Sequence, residues 1–227
     1  MIKKYEFTGE TKKAGLFGEI TLKRIRAVVE FGIVKEGELG GWIQEEKNLS
    51  HEGNAWVCGD ARVYGDARVC GNARVCGNAR VCDNAWVCGD ARVYGNAWVC
   101  GNARVYGNAL VCDNAEVCGN ARVCGNARVC GNAEVCGNAE VCGNAEVFSS
   151  NHVVVIGPIG SRAAFTTFFR DKDKEIFVVC GCFLGKLNQF LEKVTETHGD
   201  SKYALVYRAS VEVAKLQIDL TEESPEK

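Results

Sequence analysis

Between Gly53 and Phe148 the chain repeats a six-residue unit sixteen times, reading Gly-Asn/Asp-Ala-x-Val-Cys/Tyr with few exceptions. Alanine from Ala55 to Ala145 and valine from Val57 to Val147 never miss, and only the residue between them drifts among Arg, Glu, Trp and Leu. Self-similarity at a short fixed period is the signature of a repeat architecture and outranks local propensity. In one unit, Gly71-Asn72-Ala73-Arg74-Val75-Cys76, the Ala and Val lie two apart. On an extended chain they share one face and Arg74 takes the other. β-Branched Val suits a strand, and Gly-Asn tolerates the left-handed backbone of a corner. A pair of breakers every six residues leaves under two helical turns between them, which excludes a helix. Strands this short bury Ala and Val only by winding into coils that stack in parallel, about 4.8 Å apart.

A six-residue unit with Val and Ala on this beat resembles the left-handed parallel β-helix of the hexapeptide-repeat superfamily, in which three hexads make one triangular coil. The resemblance implies between five and six coils here and a prism about 25 Å long. The fold expected is an all-β solenoid with a small C-terminal α+β domain, divided into an N-terminal β cap (1–42), the solenoid (43–150), the α+β domain (151–220) and a flexible tail (221–227). The segment Leu39-Gly40-Gly41-Trp42-Ile43, followed by Asn48-Leu49-Ser50, slides into the repeat phase, with Ile43 and Leu49 where Ala sits later. This lead-in resembles that of YdcK-like β-solenoid proteins. An open solenoid end exposes unpaired strand edges, so the non-repeating start is expected to cap it.

Fourteen cysteines occur, twelve of them at one repeat position that Tyr64, Tyr94, Tyr106 and Phe148 also occupy. No secretory pattern opens the chain, so reduced thiols serving as small apolar side chains are expected. A ladder of stacked thiols binding a soft metal is the weaker alternative, since the spacing is six with no Cys-x-x-Cys pair. No cofactor and no metal are expected. The net charge of −2 offers no overall field for nucleic acid or anionic lipid. With no apolar run near twenty residues, a cytoplasmic protein without membrane association is expected.

With three hexads per coil, the variable residues stack in three columns. One reads Trp56, Arg74, Arg92, Leu110, Arg128, Glu146; the second Arg62, Arg80, Trp98, Glu116, Glu134; the third Arg68, Trp86, Arg104, Arg122, Glu140. Stacked Arg62 and Arg80, or Glu116 and Glu134, repel, so local pairing does not explain the columns. The rod is polarised, Arg/Trp-rich early and Glu-rich late. One reading is repeat duplication with drift on a solvated face. The other is a partner surface of Trp56, Arg74, Trp86, Arg92, Trp98 and Arg104 for an acidic partner or self-association as a dimer or trimer. Interleaved Asp60, Asp66, Asp83 and Asp90 dilute the positive potential, which makes nucleic acid an unfavoured partner.

After Ser150 the beat stops. His152–Ile156, Ala164–Arg170 and Ile176–Cys180 read as strands, and Leu187, Phe190, Leu191 and Val194 fall on one helical face ending near His198-Gly199. A second helix is expected from Lys202 to Leu216. Ile159-Gly160-Ser161-Arg162, Thr166-Thr167-Phe168-Phe169-Arg170, Cys180-Gly181-Cys182-Phe183 and His198-Gly199-Asp200 resemble a C-terminal module of phage and prophage proteins. Gly-Ser-Arg after a strand offers backbone N–H groups, a hydroxyl and a guanidinium, which suits a phosphate or carboxylate. The candidate ligand site is Ser161, Arg162, Thr166, Arg170, His198 and Tyr203. The structural alternative has Ser161 and Thr166 capping turns and His198 closing a helix where its charge is favoured.

The reading these residues favour is a non-enzymatic binding or scaffold protein that displays a recognition domain for a host protein or a small anionic ligand. The resemblance adds a phage or prophage setting and possible action on host defences. One alternative is an acyltransferase-like enzyme, because many hexapeptide-repeat proteins transfer acyl groups with a catalytic His. The sixteen hexads hold no His, however; the three present are His51, His152 and His198. The other alternative is a self-assembling structural scaffold. Fold alone licenses no activity.

Overall fold

The computed structural model describes residues 3–15 and 17–223. The hexads become sixteen two-residue strands, β4 (Trp56–Val57), β5 (Arg62–Val63) and so on at six-residue intervals to β19 (Glu146–Val147). Every third strand pairs in parallel, giving three sheets. Register is eighteen residues among the hexads, for example Arg92 opposite Arg74 and Leu110, whereas the lead-in is offset by twenty, so Ile43 and Leu49 lie opposite Val63 and Val69 and not at the expected alanine position. The expected columns are the observed ones. Every Ala and Val of the repeat is buried, and together they form one continuous core.

The corners explain the Gly-Asn pair. Gly95 adopts φ +72°, and a Cβ there would lie 2.8 Å from the Asp113 backbone nitrogen in the next coil. Only glycine, or a small polar residue tolerant of left-handed backbone, fits. Asp83 and Asp113 take the glycine position at φ 59°, and each carboxylate accepts an N–H from the next coil, of Gly101 and Gly131. The asparagines do more than tolerate the bend. Their side-chain amides form ladders from coil to coil, as in Asn84 to Asn102 to Asn120 to Asn138.

Parallel winding makes the two ends chemically opposite. Each coil donates N–H groups to the coil after it, Cys88 to the Val105 carbonyl for instance. The first coil is therefore left mainly with bare carbonyls and the last mainly with bare N–H groups, the exception being the repeat valines, whose N–H groups point back to the preceding coil. At the N-terminal end β1 (Tyr5–Ala14), β2 (Ile20–Ala27) and β3 (Leu39–Ile43) extend one sheet by two antiparallel pairings before β3 joins β5 in parallel. The buried Lys4 ammonium donates to the Ala55 carbonyl at 2.8 Å, and burial lowers its pKa to about 8. The buried Asn48 amide donates to the carbonyls of Gly65 and Ala67 at 3.0 and 2.9 Å. At the far end Glu140 N–H finds the Thr167 hydroxyl oxygen and Phe148 N–H finds His152 Nδ1, both at 3.0 Å.

The acceptors at that end come from the C-terminal domain, an antiparallel sheet of β20 (Val153–Ile159), β21 (Ala164–Arg170), β22 (Ile176–Cys180) and β23 (Phe183–Lys186), followed by α1 (Leu187–His198) and α2 (Lys202–Gln217). Side chains alternate across the sheet. Phe169 and Val179 face the solenoid core, while Phe168 and Val178 pack with Phe190, Val194 and Val211 of the helices. The fourth strand, β23, is not among the expected ones. It follows a two-residue turn, Gly181-Cys182, that pairs Cys180 with Phe183. Of the expected tail, Glu222 meets Ser149 and His152 at 2.9 Å each and Glu223 pairs with Lys174 at 2.6 Å; residues 224–227 lie outside the described residues. No helix among the described residues is long and apolar enough to cross a membrane.

The expectation that all repeat cysteines are reduced needs correcting. Cys58 with Cys76, and Cys112 with Cys130, are disulfide-bonded, each pair with Cα atoms 4.6 Å apart. Stacking at the coil repeat brings like corner positions within the Cα separation a disulfide allows, which a spacing of six along the chain conceals.

Candidate functional site

A recess of about 320 Å³ opens in the C-terminal domain between the sheet and the helices. Its floor is apolar, built from Phe183 on β23 and Phe190 and Val194 on α1; the Phe183 and Phe190 rings lie 5.4 Å apart. Tyr207 of α2 closes one wall, with its ring edge-on to Phe190 at 5.6 Å and its hydroxyl 3.9 Å from Cys180 Sγ. Burial, with the Cys180 sulfur adding, pushes the Tyr207 phenol up to about 12, so it stays protonated at neutral pH. Gly160, at φ +71°, allows this approach, because a side chain there would run into the Tyr207 hydroxyl.

Polar groups ring the mouth. Ser161 and Arg162 come from the turn between β20 and β21, and Lys193, Thr197 and His198 from the exposed side of α1. The His198 ring stacks on Tyr207 at 5.7 Å. The Arg162 guanidinium lies over Gly181, 3.4 Å from where a Cβ would stand. Among the described residues Arg162 has no hydrogen bond or ion pair, whereas Lys193 is paired with Glu196 at 2.8 Å. An unpaired cation above an aromatic floor can receive a carboxylate or phosphate attached to an apolar body.

Of the six expected ligand residues, Ser161, Arg162 and His198 meet here and three do not. Thr166 is buried, with its hydroxyl donating to Cys180 Sγ at 3.3 Å. Tyr203 contacts His198 at 6.1 Å but does not line the recess; Tyr207, one helical turn on, takes that place. Arg170 is a larger displacement. It is 1% exposed at the other end of β21 from the recess, over the Phe148 ring at 5.7 Å and 3.1 Å from His152 Nε2. It belongs to the junction with the solenoid. Sequence reasoning missed Lys193 and Tyr207, although the helical spacing of Phe190 and Val194 already places Lys193 beside them.

The expected partner surface is also divided. Trp56 is fully buried beneath the N-terminal cap, where Phe31 meets it edge-on at 5.4 Å. Arg74 is half-buried and Arg92 exposed on the same sheet as Trp56. Trp98 lies on the second sheet and Trp86 and Arg104 on the third. The residues therefore spread over three faces. One strip survives, Arg68–Trp86–Arg104, in which Trp86 is 42% exposed and Arg104 lies over its ring at 5.7 Å.

Neither terminal histidine offers an accessible base. His152 has no exposed surface and its Nδ1 is engaged by the Phe148 N–H, so Nε2 carries the proton of the neutral ring and meets Glu222. His51 stacks on Tyr5 at 4.3 Å and accepts from the Lys4 N–H.

No curated protein matches the chain. The family described as YdcK β-solenoid repeat matches residues 55–71, 67–83, 73–89, 85–101, 97–113, 115–131 and 121–137, all within the stacked coils and short of the C-terminal domain. Over residues 55–137 the solenoid, with its strands at six-residue intervals and eighteen-residue register, is a YdcK-like β-solenoid.

Proposed function

We propose that this protein is a binding protein, in which the solenoid is a rigid carrier and the recess of the C-terminal domain receives a small anionic ligand with an apolar body. The observation that carries this reading is Arg162, a cation without an acidic partner among the described residues, held at the rim of a floor made of Phe183, Phe190 and Val194. Ser161 and His198 supply further hydrogen bonds, and Tyr207 remains a donor because its phenol is held protonated. Native mass spectrometry of the protein purified from its host tests it. A small molecule should co-purify, be lost from Arg162→Ala, and be kept by Arg208→Ala, whose guanidinium is tied to Asp200 and Gly199 outside the recess. Retention unchanged in Arg162→Ala overturns the assignment.

A second reading rests on the Arg68–Trp86–Arg104 strip, where a Trp stands exposed between two stacked arginines. That arrangement suits an acidic segment of a protein partner. Trp86→Ala should abolish capture of such a partner while leaving the small-molecule site intact; equal capture by both proteins rejects it.

A further inference from the structure

The coil corners stack as regularly as the strands, and in one of the three corner columns the order is Cys70, Cys88, Tyr106, Cys124, Cys142. Cys124 and Cys142 are free thiols, the first half-buried and the second buried. Their strands pair in register, Val123 opposite Val141 and Arg122 opposite Glu140, and Cys124 N–H donates to the Val141 carbonyl at 2.9 Å. Glu140 precedes Cys142 by two residues, so carboxylate and thiol leave the strand on the same side. Both sulfurs and a carboxylate oxygen of Glu140 lie within 4.8 Å of one another. Around one tetrahedral cation, metal–sulfur bonds of about 2.3 Å and metal–oxygen bonds of about 2.1 Å hold ligand atoms somewhat under 4 Å apart. Side-chain rotation alone closes that gap. The backbone of Glu140 is also anchored, its N–H donating to the Thr167 hydroxyl of the C-terminal domain at 3.0 Å. Outer contacts of this kind fix ligand orientation in metal sites.

We propose that Cys124, Cys142 and Glu140 form a site for a soft divalent cation of the zinc class, with two thiolates, one carboxylate and a fourth position for water. Thiolate ligands select zinc and cadmium over magnesium and calcium. Binding replaces the two S–H bonds by two metal–sulfur bonds and releases both protons to solvent. Arg122, stacked against Glu140, is the competing cation. Cys112, Asp113 and Cys130 are equally close, but that cysteine pair is closed as a disulfide and cannot ligate. Cys70 and Cys88, higher in the same column, have Arg68 and Trp86 where a carboxylate would be needed. They are the natural control.

The test titrates Zn²⁺ into the full-length protein, stripped of metal and kept reduced with a phosphine, with Cys112→Ser/Cys130→Ser introduced in every sample, the wild-type reference included, because the phosphine also opens that disulfide. Wild type and Cys70→Ser/Cys88→Ser should each retain one zinc per chain through desalting, and Cys124→Ser/Cys142→Ser none. Glu140→Gln should weaken binding at least about tenfold. With Cd²⁺ as probe, a thiolate-to-metal charge-transfer band should appear in wild type and vanish in Cys124→Ser/Cys142→Ser. Zinc retained equally by Cys124→Ser/Cys142→Ser, or not bound by wild type, overturns the proposal. If that double variant fails to fold by circular dichroism, Glu140→Gln decides alone, and unchanged affinity there rejects the site.

Discussion

Val105 sits in the middle of the solenoid, fully buried, with Val87 and Val123 directly in register with it. Replacing it by Ala removes two methyl groups from the core, about 1.6 kcal/mol at about 0.8 kcal/mol per buried carbon. The surrounding backbone is locked by the coil-to-coil ladder, with Cys88 N–H on the Val105 carbonyl and Tyr106 N–H on the Val123 carbonyl at 2.9 and 3.0 Å. The cavity therefore cannot collapse, and the total should reach about 2–3 kcal/mol. Val105→Thr separates polarity from volume. It keeps the shape but puts a hydroxyl among methyl groups whose nearby carbonyls already accept N–H groups, a cost of about 1–3 kcal/mol. Arg92→Ala, exposed on the outer face, should stay within about 0.5 kcal/mol. Denaturant unfolding in reducing buffer, followed by circular dichroism, reads all three. Because a solenoid couples mainly to nearest neighbours, midpoints are compared among variants at the same site and its neighbour. If both Val105 variants are as harmless as Arg92→Ala, the interior is not built from the repeat valines and the account of the fold fails.

Gly95→Ala should cost at least about 1–2 kcal/mol in the same assay, because its φ of +72° is left-handed and the new Cβ meets the Asp113 backbone. Burial holds the His51 and His152 pKa values below 6.5. As pH falls through about 6.5 the unfolded chain takes up protons that the folded chain refuses, so stability declines, by up to about 1.4 kcal/mol per pH unit for each histidine, until the lower folded values are reached. Thermal unfolding between about pH 5 and 7 should show this, and His152→Gln should flatten part of the slope. Arg170→Ala should lower stability by about 2–3 kcal/mol while leaving ligand retention by the folded protein intact, since Arg170 is buried at the junction and not in the recess. Asn48→Leu leaves the Gly65 and Ala67 carbonyls without their donor and should cost about 2–4 kcal/mol, read as an earlier unfolding midpoint.

The repeat was legible because it encodes one local decision many times over: Ala and Val inward, the drifting residue outward, Gly at the corner. What lay hidden depends on contacts across long stretches of chain. Nothing near Lys4 says that its ammonium closes the carbonyls of Gly53 and Ala55, some fifty residues on. Trp56 occupies an outward position by period, yet Phe31 and its loop lie over it. The disulfides needed the coil repeat of eighteen rather than the unit of six. In the C-terminal domain Ser161 and Arg162, singled out by their turn chemistry, lie at the mouth of the recess. Tyr203 lies one turn of α2 before Tyr207, which lines the recess; a helical face repeats at that interval, and only packing against Phe190 distinguishes the two.

The opposite chemistry of the two coil ends bears on self-assembly. Head-to-tail stacking of two copies would require the bare carbonyls of one first coil to meet the bare N–H groups of another's last coil, continuing the ladder at the same spacing. Part of each set is already engaged within the chain. Lys4, Asn48 and β3 hold the carbonyls, and Thr167 and His152 hold the N–H groups, with Phe169 and Val179 covering the apolar cross-section between them. Opening either end would strand buried polar groups at about 1–3 kcal/mol each, so an end-on filament would have to displace both caps before gaining its first contact. The sides of the rod and the recess beyond its C-terminal end are where this chain has groups left to offer: Arg80, Arg92 and Arg122 stand exposed along the rod without an ion pair among the described residues, and Arg162 does so at the recess.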